Sequence, residues 1–236
     1  AKIAVVEDVG TFDLTDGDIQ PGGTVAVSFG NLKTFRVRNG DVFGNVLVNN
    51  GEIDNFQILG SDFGDGVNPA LISTKAIKRL SLDGSVRNLA VVRVDDAIDR
   101  LDIGGSIDAG GFVEAAAAAS VKIGQSLMGA VVLGASLRGT KVNIDGHIGD
   151  GVNPALLSIG GDARIDVRGG VNHFATVEVA RELDQLRVDG VASGDFFVDM
   201  NGGRFQFGAL DGAVITTGLD LKQLDADTIT NTLVQV

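Results

Sequence analysis

Apolar residues alternate with polar ones in short segments that return along most of the chain. The clearest copy is Leu80-Ser81-Leu82-Asp83-Gly84, in which two apolar residues flank a polar one and a glycine follows two positions later. Residues i and i+2 point to the same side only in an extended strand, so each copy predicts a short strand with one buried side. Copies begin at Phe35, Phe56, Leu80, Leu101, Val121, Val142, Ile165, Leu186, Phe205 and Leu224, at intervals of 19 to 24 residues. A nearly fixed period of this length is typical of a stacked repeat.

Each repeat contains further apolar positions after the glycine. Val86, Ile107, Leu127, Ile148 and Val171 form one such set, and a third set later in the repeat includes Val91 with Val94 and Val177 with Val179. Three short strands per repeat predict three sheets around one core. We therefore predict an all-β chain folded as a right-handed parallel β-helix, or β-solenoid, with three short strands per coil and about 10 to 11 coils of 19 to 24 residues. At about 4.8 Å per coil the rod would be roughly 50 Å long.

Two other repeat or all-β architectures explain the pattern less well. A leucine-rich repeat shares the strand period but expects an asparagine ladder and a helical or irregular return, whereas the return segment here is itself strand-like. A β-sandwich would not keep a constant phase over so many repeats.

The pattern also predicts the domain organisation. Residues 1–34 fit the repeat poorly and are interpreted as an N-terminal cap or irregular first coil, although Phe12 and Leu14 can begin a coil. Residues 35–236 are predicted to form the parallel β-helix, with loop insertions near 62–70 and 147–155 that share the sequence Gly-Asp-Gly-Val-Asn-Pro-Ala-Leu. The alanine run 115–119 has helical propensity, but the unbroken period favours small residues packed inside a narrow coil.

The composition of the chain argues against several classes of partner and site. The chain has 34 glycines and 3 prolines, which suits many tight turns, and a net charge of -12, which opposes binding to nucleic acid. It has no cysteine, so neither a disulfide nor a thiolate metal site is available. No apolar run approaches the roughly 20 residues needed for a membrane-spanning segment. The start, Ala1-Lys2-Ile3-Ala4, indicates a mature form or a piece of a longer chain.

A row of cations precedes the first apolar column and is the first candidate site. Such a stripe could bind an anionic polysaccharide or another protein. The alternative is that the cations solvate the sheet and pair with nearby aspartates in weak surface salt bridges. The candidate residues for an anionic ligand are Arg79, Arg100, Lys141, Arg164 and Arg204.

Aspartate-rich turns are the second candidate site. Calcium prefers several carboxylate and carbonyl oxygens, and Asp16, Asp18, Asp62, Asp65 and Asp150 are the candidate ligands. Their spacing matches no calcium-binding repeat, and aspartate also stabilises turns by accepting hydrogen bonds from its own backbone. No other cofactor is expected.

Neither histidine has a partner that indicates catalysis. His147 and His173 fall in different repeats at different phases, without metal-ligand spacing or an obvious triad. Polysaccharide lyases and hydrolases often use parallel β-helices, but the chain has no Trp and no Tyr to stack on sugars. We therefore expect no enzyme activity and keep a polysaccharide-binding or polysaccharide-degrading protein as the alternative.

The repeat resembles the coil-forming repeats of large secreted or surface-attached bacterial proteins, including adhesins, autotransporter passengers and surface-coat components. The copies from Phe35 to Leu224 carry the resemblance. It implies a structural or adhesive rod segment of an extracellular or cell-surface protein, with other copies, other segments of a larger protein or glycans as partners. Separately, the sequence predicts no amphipathic capping helix at either end, and open sheet edges favour self-assembly, end to end or side by side.

Overall fold

The computed structural model describes residues 2–136 and 139–236; Ala1, Leu137 and Arg138 lie outside the described residues. Within those ranges the chain forms strands, turns and bends, and contains no helix. The strands are β1 (Lys2–Val5), β2 (Val9–Thr15), β3 (Thr24–Val27), β4 (Leu32–Arg38), β5 (Asn45–Leu59), β6 (Ala70–Leu82), β7 (Ala90–Ile103), β8 (Phe112–Ile123), β9 (Ala130–Leu133), β10 (Thr140–Ile144), β11 (Ala155–Ile159), β12 (Ala163–Val167), β13 (Ala175–Val179), β14 (Leu183–Ala192), β15 (Asp195–Val198), β16 (Gly202–Asp211), β17 (Val214–Thr217), β18 (Leu221–Thr230) and β19 (Leu233–Gln235).

Successive turns of the chain pair with one another in parallel. Leu80 lies beside Leu101, and Leu101 lies beside Val121, as the repeat predicts. The same register runs from Phe35 beside Phe56 to Phe205 beside Leu224. The chain is thus a parallel β-solenoid of about 11 turns, which confirms the predicted all-β repeat fold. The right-handed sense follows from the general rule for parallel crossovers.

The solenoid has three faces. Face 1 contains β2, β4, β10, β12 and the second halves of β5 to β8, together with β14, β16 and β18, whose last residues continue onto face 2. Face 2 is narrow and pairs through single residues, from Ile19 beside Val42 to Val171 beside Ala192. Face 3 contains β1, β3, the first halves of β5 to β8, β9, β11, β13, β15, β17 and β19. The middle strand of the predicted three is therefore mostly one residue long, because turns bound it on both sides.

The core is a continuous column of apolar side chains. Phe35, Leu80, Ile144 and Leu186 are completely buried, as are the face 2 residues such as Val86. Near the N-terminal end, the ring of Phe35 is stacked between those of Phe12 and Phe56, with centroid distances of 5.0 and 4.5 Å. Full burial of such side chains contributes roughly 1.5–3 kcal/mol each. Stacking of like residues therefore stabilises every turn against its neighbours.

The glycine column at the first corner is required by close packing. A Cβ on Gly84 would lie 2.4 Å from the backbone oxygen of Ser61, and the φ of Gly84 is not left-handed. Gly60 and Asn39, at the same corner in earlier turns, do have left-handed φ values of 83° and 52°. The corner therefore favours glycine for two reasons: some positions leave no room for a Cβ, and others adopt a left-handed φ.

The N-terminal residues wind like those that follow. β1 pairs in parallel with β3, and β2 pairs with β4 so that Phe12 lies beside Phe35. The boundary after residue 34 stays a prediction. The alanine run is extended, within β8, and Ala115 and Ala118 point into the core, as the unbroken period predicts. None of the described residues forms a helix that could cross a membrane.

Candidate functional site

The predicted cation row is a column on the outer side of face 1. Arg79 lies beside Arg100, and Lys141 lies beside Arg164. Ser120 and Gln185 occupy the same column in the intervening turns, and Arg204 follows Gln185. Adjacent members are one strand spacing apart, about 4.8 Å. The structure therefore brings together the residues that the sequence placed in one row.

Carboxylates neutralise part of this row. Arg79 and Arg100 both reach the same carboxylate oxygen of Asp102, at 3.7 and 2.6 Å. Arg204 lies 3.9 Å from a carboxylate oxygen of Asp225. These pairs are at least partly exposed, where an ion pair contributes at most about 1 kcal/mol. For these three arginines the structure fits the interpretation of lateral salt bridges.

Lys141 and Arg164 differ from the rest of the row. Among residues 2–136 and 139–236, neither has a carboxylate within 4.0 Å. Both line a groove of about 470 Å³ that is also lined by Asp162, Glu182 and Asp184. The groove therefore offers cations that are available to an anion, together with carboxylates that can accept hydrogen bonds from hydroxyl groups.

The next two outer columns of face 1 also carry ion pairs, both between turns and within one turn. Arg168 and Lys122 approach Asp145 at 3.0 and 4.0 Å, and Arg187 approaches Asp189 at 2.7 Å. The hydrogen bond from Arg187 to Asp189, followed by the charge of that carboxylate, raises the pKa of the guanidinium. Because positive and negative side chains alternate on this face, it is hydrated and does not present an electric field of one sign.

Two of the calcium candidates form the same turn in the two inserted loops. Asp65 Oδ1 accepts hydrogen bonds from the backbone N–H groups of Val67 and Asn68, at 2.8 and 2.6 Å, and Asp65 Oδ2 accepts one from the Asn68 side chain. Asp150 makes the equivalent bonds with Val152 and Asn153. The carboxylates thus close their own loops.

The other three candidates also accept hydrogen bonds from the next turn. Asp16 accepts one from the side chain of Asn39, Asp18 from the backbone N–H of Asp41, and Asp62 from the backbone N–H of Ser85. The described part of the chain holds no cluster of three or more His, Asp or Glu side chains suited to a metal ion. The calcium assignment stays a prediction.

The inserted loops should have a measurable acid transition. Hydrogen bonds from the backbone N–H of Asn153, then its side-chain amide and the N–H of Val152, lower the pKa of Asp150 from 3.8 to about 2. The same groups around Asp65 lower its pKa. Because a carboxyl whose pKa is lowered by folding stabilises the folded loop only when ionised, this stabilisation is complete above pH 3.8 and is lost as the pH falls through about 2.

The carboxyl ¹³C shift of Asp150 in an NMR titration should therefore have its midpoint near 2, the pKa set by these bonds. Asn153→Ala removes the amide donor and should raise that midpoint. A midpoint at or above the ordinary value in the unaltered chain would contradict the loop geometry.

A ladder of side-chain acceptors at the corner before face 2 escaped the sequence analysis. In this corner ladder a side chain of one turn accepts a hydrogen bond from a backbone N–H of the next turn. The bonds run from Ser106 N to Ser85 Oγ, from Ser126 N to Ser106 Oγ, from His147 N to Ser126 Oγ and from Gly170 N to His147 Nδ1, at 2.8 to 3.2 Å. The signal was present, because Ser85, Ser106, Ser126 and His147 each follow the first apolar residue of a copy by five positions.

The corner ladder includes one of the two histidines. His147 Nδ1 accepts a hydrogen bond from Gly170 N at 2.8 Å, so its ring links two successive turns. His173 lies elsewhere, with its ring 4.1 Å from that of Phe174. The structure does not bring the two histidines into a common site.

Comparison with family models, with curated proteins and with solved structures finds no match to the chain.

Proposed function

We propose that the chain is a non-catalytic structural rod segment of a bacterial extracellular or cell-surface protein, which holds and presents the two inserted loops at a fixed separation. The observation that carries the proposal is the continuous core, in which side chains from Phe35 to Phe205 stack turn upon turn with almost no exposure. Such a core transmits load along the axis and leaves only the outer columns and loops for recognition. The extracellular setting comes from the resemblance of the repeat to surface proteins.

The two loops support a presenting role. They share one sequence and one hydrogen-bonded turn, and each exposes a valine at its tip, Val67 at 75% and Val152 at 77%. They are four turns apart on the same corner, which corresponds to about 19 Å at 4.8 Å per turn. A rigid rod fixes that spacing, whereas a flexible linker would not.

An assay of polysaccharide degradation distinguishes the proposed structural rod from the polysaccharide-degrading alternative. The full chain should release neither new reducing ends nor unsaturated uronates from polygalacturonate, alginate or hyaluronan over a day at micromolar protein. Turnover that disappears in Asp162→Asn or Asp184→Asn would replace the rod proposal with a polysaccharide-degrading one, because those carboxylates line the groove on face 1.

An adhesive form of the same function has its own supporting observation: the neighbours Lys141 and Arg164 have no carboxylate within 4.0 Å in the described part of the chain. A uronic-acid polymer presents carboxylates to such cations and hydroxyl groups to the carboxylates that line the same groove. Because adjacent cations of the row lie one strand spacing apart, about 4.8 Å, both can contact one extended polymer.

Calorimetric titration with polygalacturonate tests this adhesive form. The double variant Lys141→Gln/Arg164→Gln should weaken binding at least 5-fold, since both cations that line the groove are lost. The matched control Arg79→Gln/Arg100→Gln also removes two charges, but from residues already paired with Asp102, and should change binding less than 2-fold. Equal losses in both variants, or no binding by the unaltered chain, would count against a glycan site at this groove.

A further inference from the structure

Face 3 carries an apolar column on its outer side. Leu71 lies beside Val91, Val91 beside Phe112, and Phe112 beside Ala130, which in turn lies beside Leu156. All five side chains are half-buried and point away from the core, since the residues on either side of each point inward. A flat apolar strip thus runs along successive turns on the outside of the solenoid.

Face 1 provides the control for this observation within the same molecule. In the turns that carry Leu71, Val91 and Phe112, its outer columns hold polar or charged residues: Arg79, Ser81, Arg100, Asp102, Ser120 and Lys122. Both faces are sheets of one solenoid with the same strand spacing, so the fold does not require an apolar outer column. The strip therefore requires a separate explanation, and apolar strips on an outer surface are typical of interaction sites.

The second outer column of face 3 supplies the charge pattern. It runs through Ser73, Arg93, Glu114 and Val132 in adjacent turns. Arg93 Nε lies 3.0 Å from Glu114 Oε2, and both side chains remain substantially exposed. A column in which a cation is followed by an anion in the next turn is complementary to an antiparallel copy of itself. When the second rod runs in the opposite direction, its anion lies opposite the cation of the first rod, and its cation lies opposite the anion.

We propose that two copies of the chain associate side by side, in antiparallel orientation, through face 3. The two-fold axis lies along the strand direction, between the turns of Arg93 and Glu114. This rests on the proposed structural function and deepens it by naming a partner, a second copy. Arg93 then faces Glu114 of the second copy, and the two intramolecular pairs join into an alternating group of four charges.

The same axis pairs four of the five strip residues with one another and places the fifth, Leu156, opposite Asn45 of the second copy. Val91 lies opposite Phe112 of the second copy, and Leu71 lies opposite Ala130 of the second copy, with the sheets about 10 Å apart. Ser73 lies opposite Val132 of the second copy. Asn45 and Thr176 bound the strip at its two ends. Apolar contact in the centre with polar residues at the edges is the usual composition of an interface between copies.

Sedimentation equilibrium of charge variants tests the pairing. Arg93→Glu places glutamate opposite Glu114 of the second copy and should weaken the dimer at least 10-fold. The swap Arg93→Glu/Glu114→Arg keeps the pattern self-complementary and should restore the dissociation constant to within 3-fold. Arg164→Glu on face 1 changes the same charge away from the contact and should leave it within 2-fold.

Site-directed crosslinking tests the register. The chain has no cysteine of its own, so Ser73→Cys and Val132→Cys chains can be mixed and treated with a short bismaleimide that spans the gap between the sheets, about 10 Å. The mixture should give predominantly the mixed crosslinked dimer, while Ser73→Cys alone should give little, because its two copies are offset by three turns, about 14 Å, in addition to that gap. Circular dichroism confirms that each variant keeps its strand content.

The proposal is overturned by a monomer at all concentrations up to several hundred micromolar, by a swap that fails to restore association, or by equal weakening from Arg164→Glu. A dimer with preferential Ser73–Ser73 coupling would also overturn it, by showing a different register. A monomeric chain without polysaccharide turnover leaves the rod function standing, whereas a dimer that degrades polysaccharide removes the rod function and keeps the interface.

Discussion

Phe35→Ala is expected to lower the free energy of unfolding by about 3–5 kcal/mol, among the largest effects of any single substitution in the chain. The Phe35 side chain is completely buried, and its ring is stacked between those of Phe12 and Phe56. The substitution removes the favourable free energy of burying the ring. It also leaves a cavity, which the strands on either side cannot fill. It also removes both stacking contacts.

Urea unfolding followed by circular dichroism measures this effect. Phe29→Ala is the matched control, because Phe29 is 77% exposed, and it should change stability by less than about 0.5 kcal/mol. Each turn of a solenoid contacts only its neighbours, so hydrogen exchange in Phe35→Ala should quicken most in β2, β4 and β5. Equal destabilisation by both substitutions, or uniform acceleration of exchange, would contradict the stacked-turn core.

Gly51→Ala is expected to destabilise the chain by about 3 kcal/mol although it adds a single methyl group. A Cβ at this position would lie 2.0 Å from the backbone oxygen of Gly30 and 2.8 Å from its carbonyl carbon. The φ of Gly51 is not left-handed, so the cost comes from the approach of the previous turn. Relief of the clash requires the corners of two turns to separate, and overpacking of this kind costs about 1–3 kcal/mol or more.

Gly10→Ala is the control for backbone effects. A Cβ on Gly10 meets no atom within 4 Å, so that substitution should be neutral or slightly stabilising. Thermal unfolding of the two variants side by side measures the difference. If Gly51→Ala melted within 2 °C of the unaltered chain, the close corner contact between turns would be wrong.

The period of the sequence was sufficient to predict the stacking of this chain. Leu80, Leu101 and Val121 lie in adjacent turns as their spacing requires, and the cation row from Arg79 to Arg204 is a true column. Both results depend only on counting, because a constant repeat length fixes which residues lie above which. The extended conformation of the alanine run in β8 followed from the same unbroken count.

Other features depended on side-chain geometry. Equal spacing made Arg79, Arg100, Lys141 and Arg164 look alike, yet Asp102 pairs with the first two, whereas Lys141 and Arg164 have no carboxylate this close among the described residues. The corner ladder from Ser85 to His147 was visible as a repeated phase, but its meaning needed the direction of each hydroxyl relative to the next backbone N–H.

The sequence by itself determined the all-β solenoid, the order of its turns and the composition of each column, because burial repeats whenever the chain returns to the same place. Only the tertiary structure decided which corner glycines avoid a clash and which adopt a left-handed φ, which cations are neutralised, and which columns of face 3 point outward. These depend on distances between residues about twenty positions apart, and those distances exist only after the chain has closed each turn on the one before.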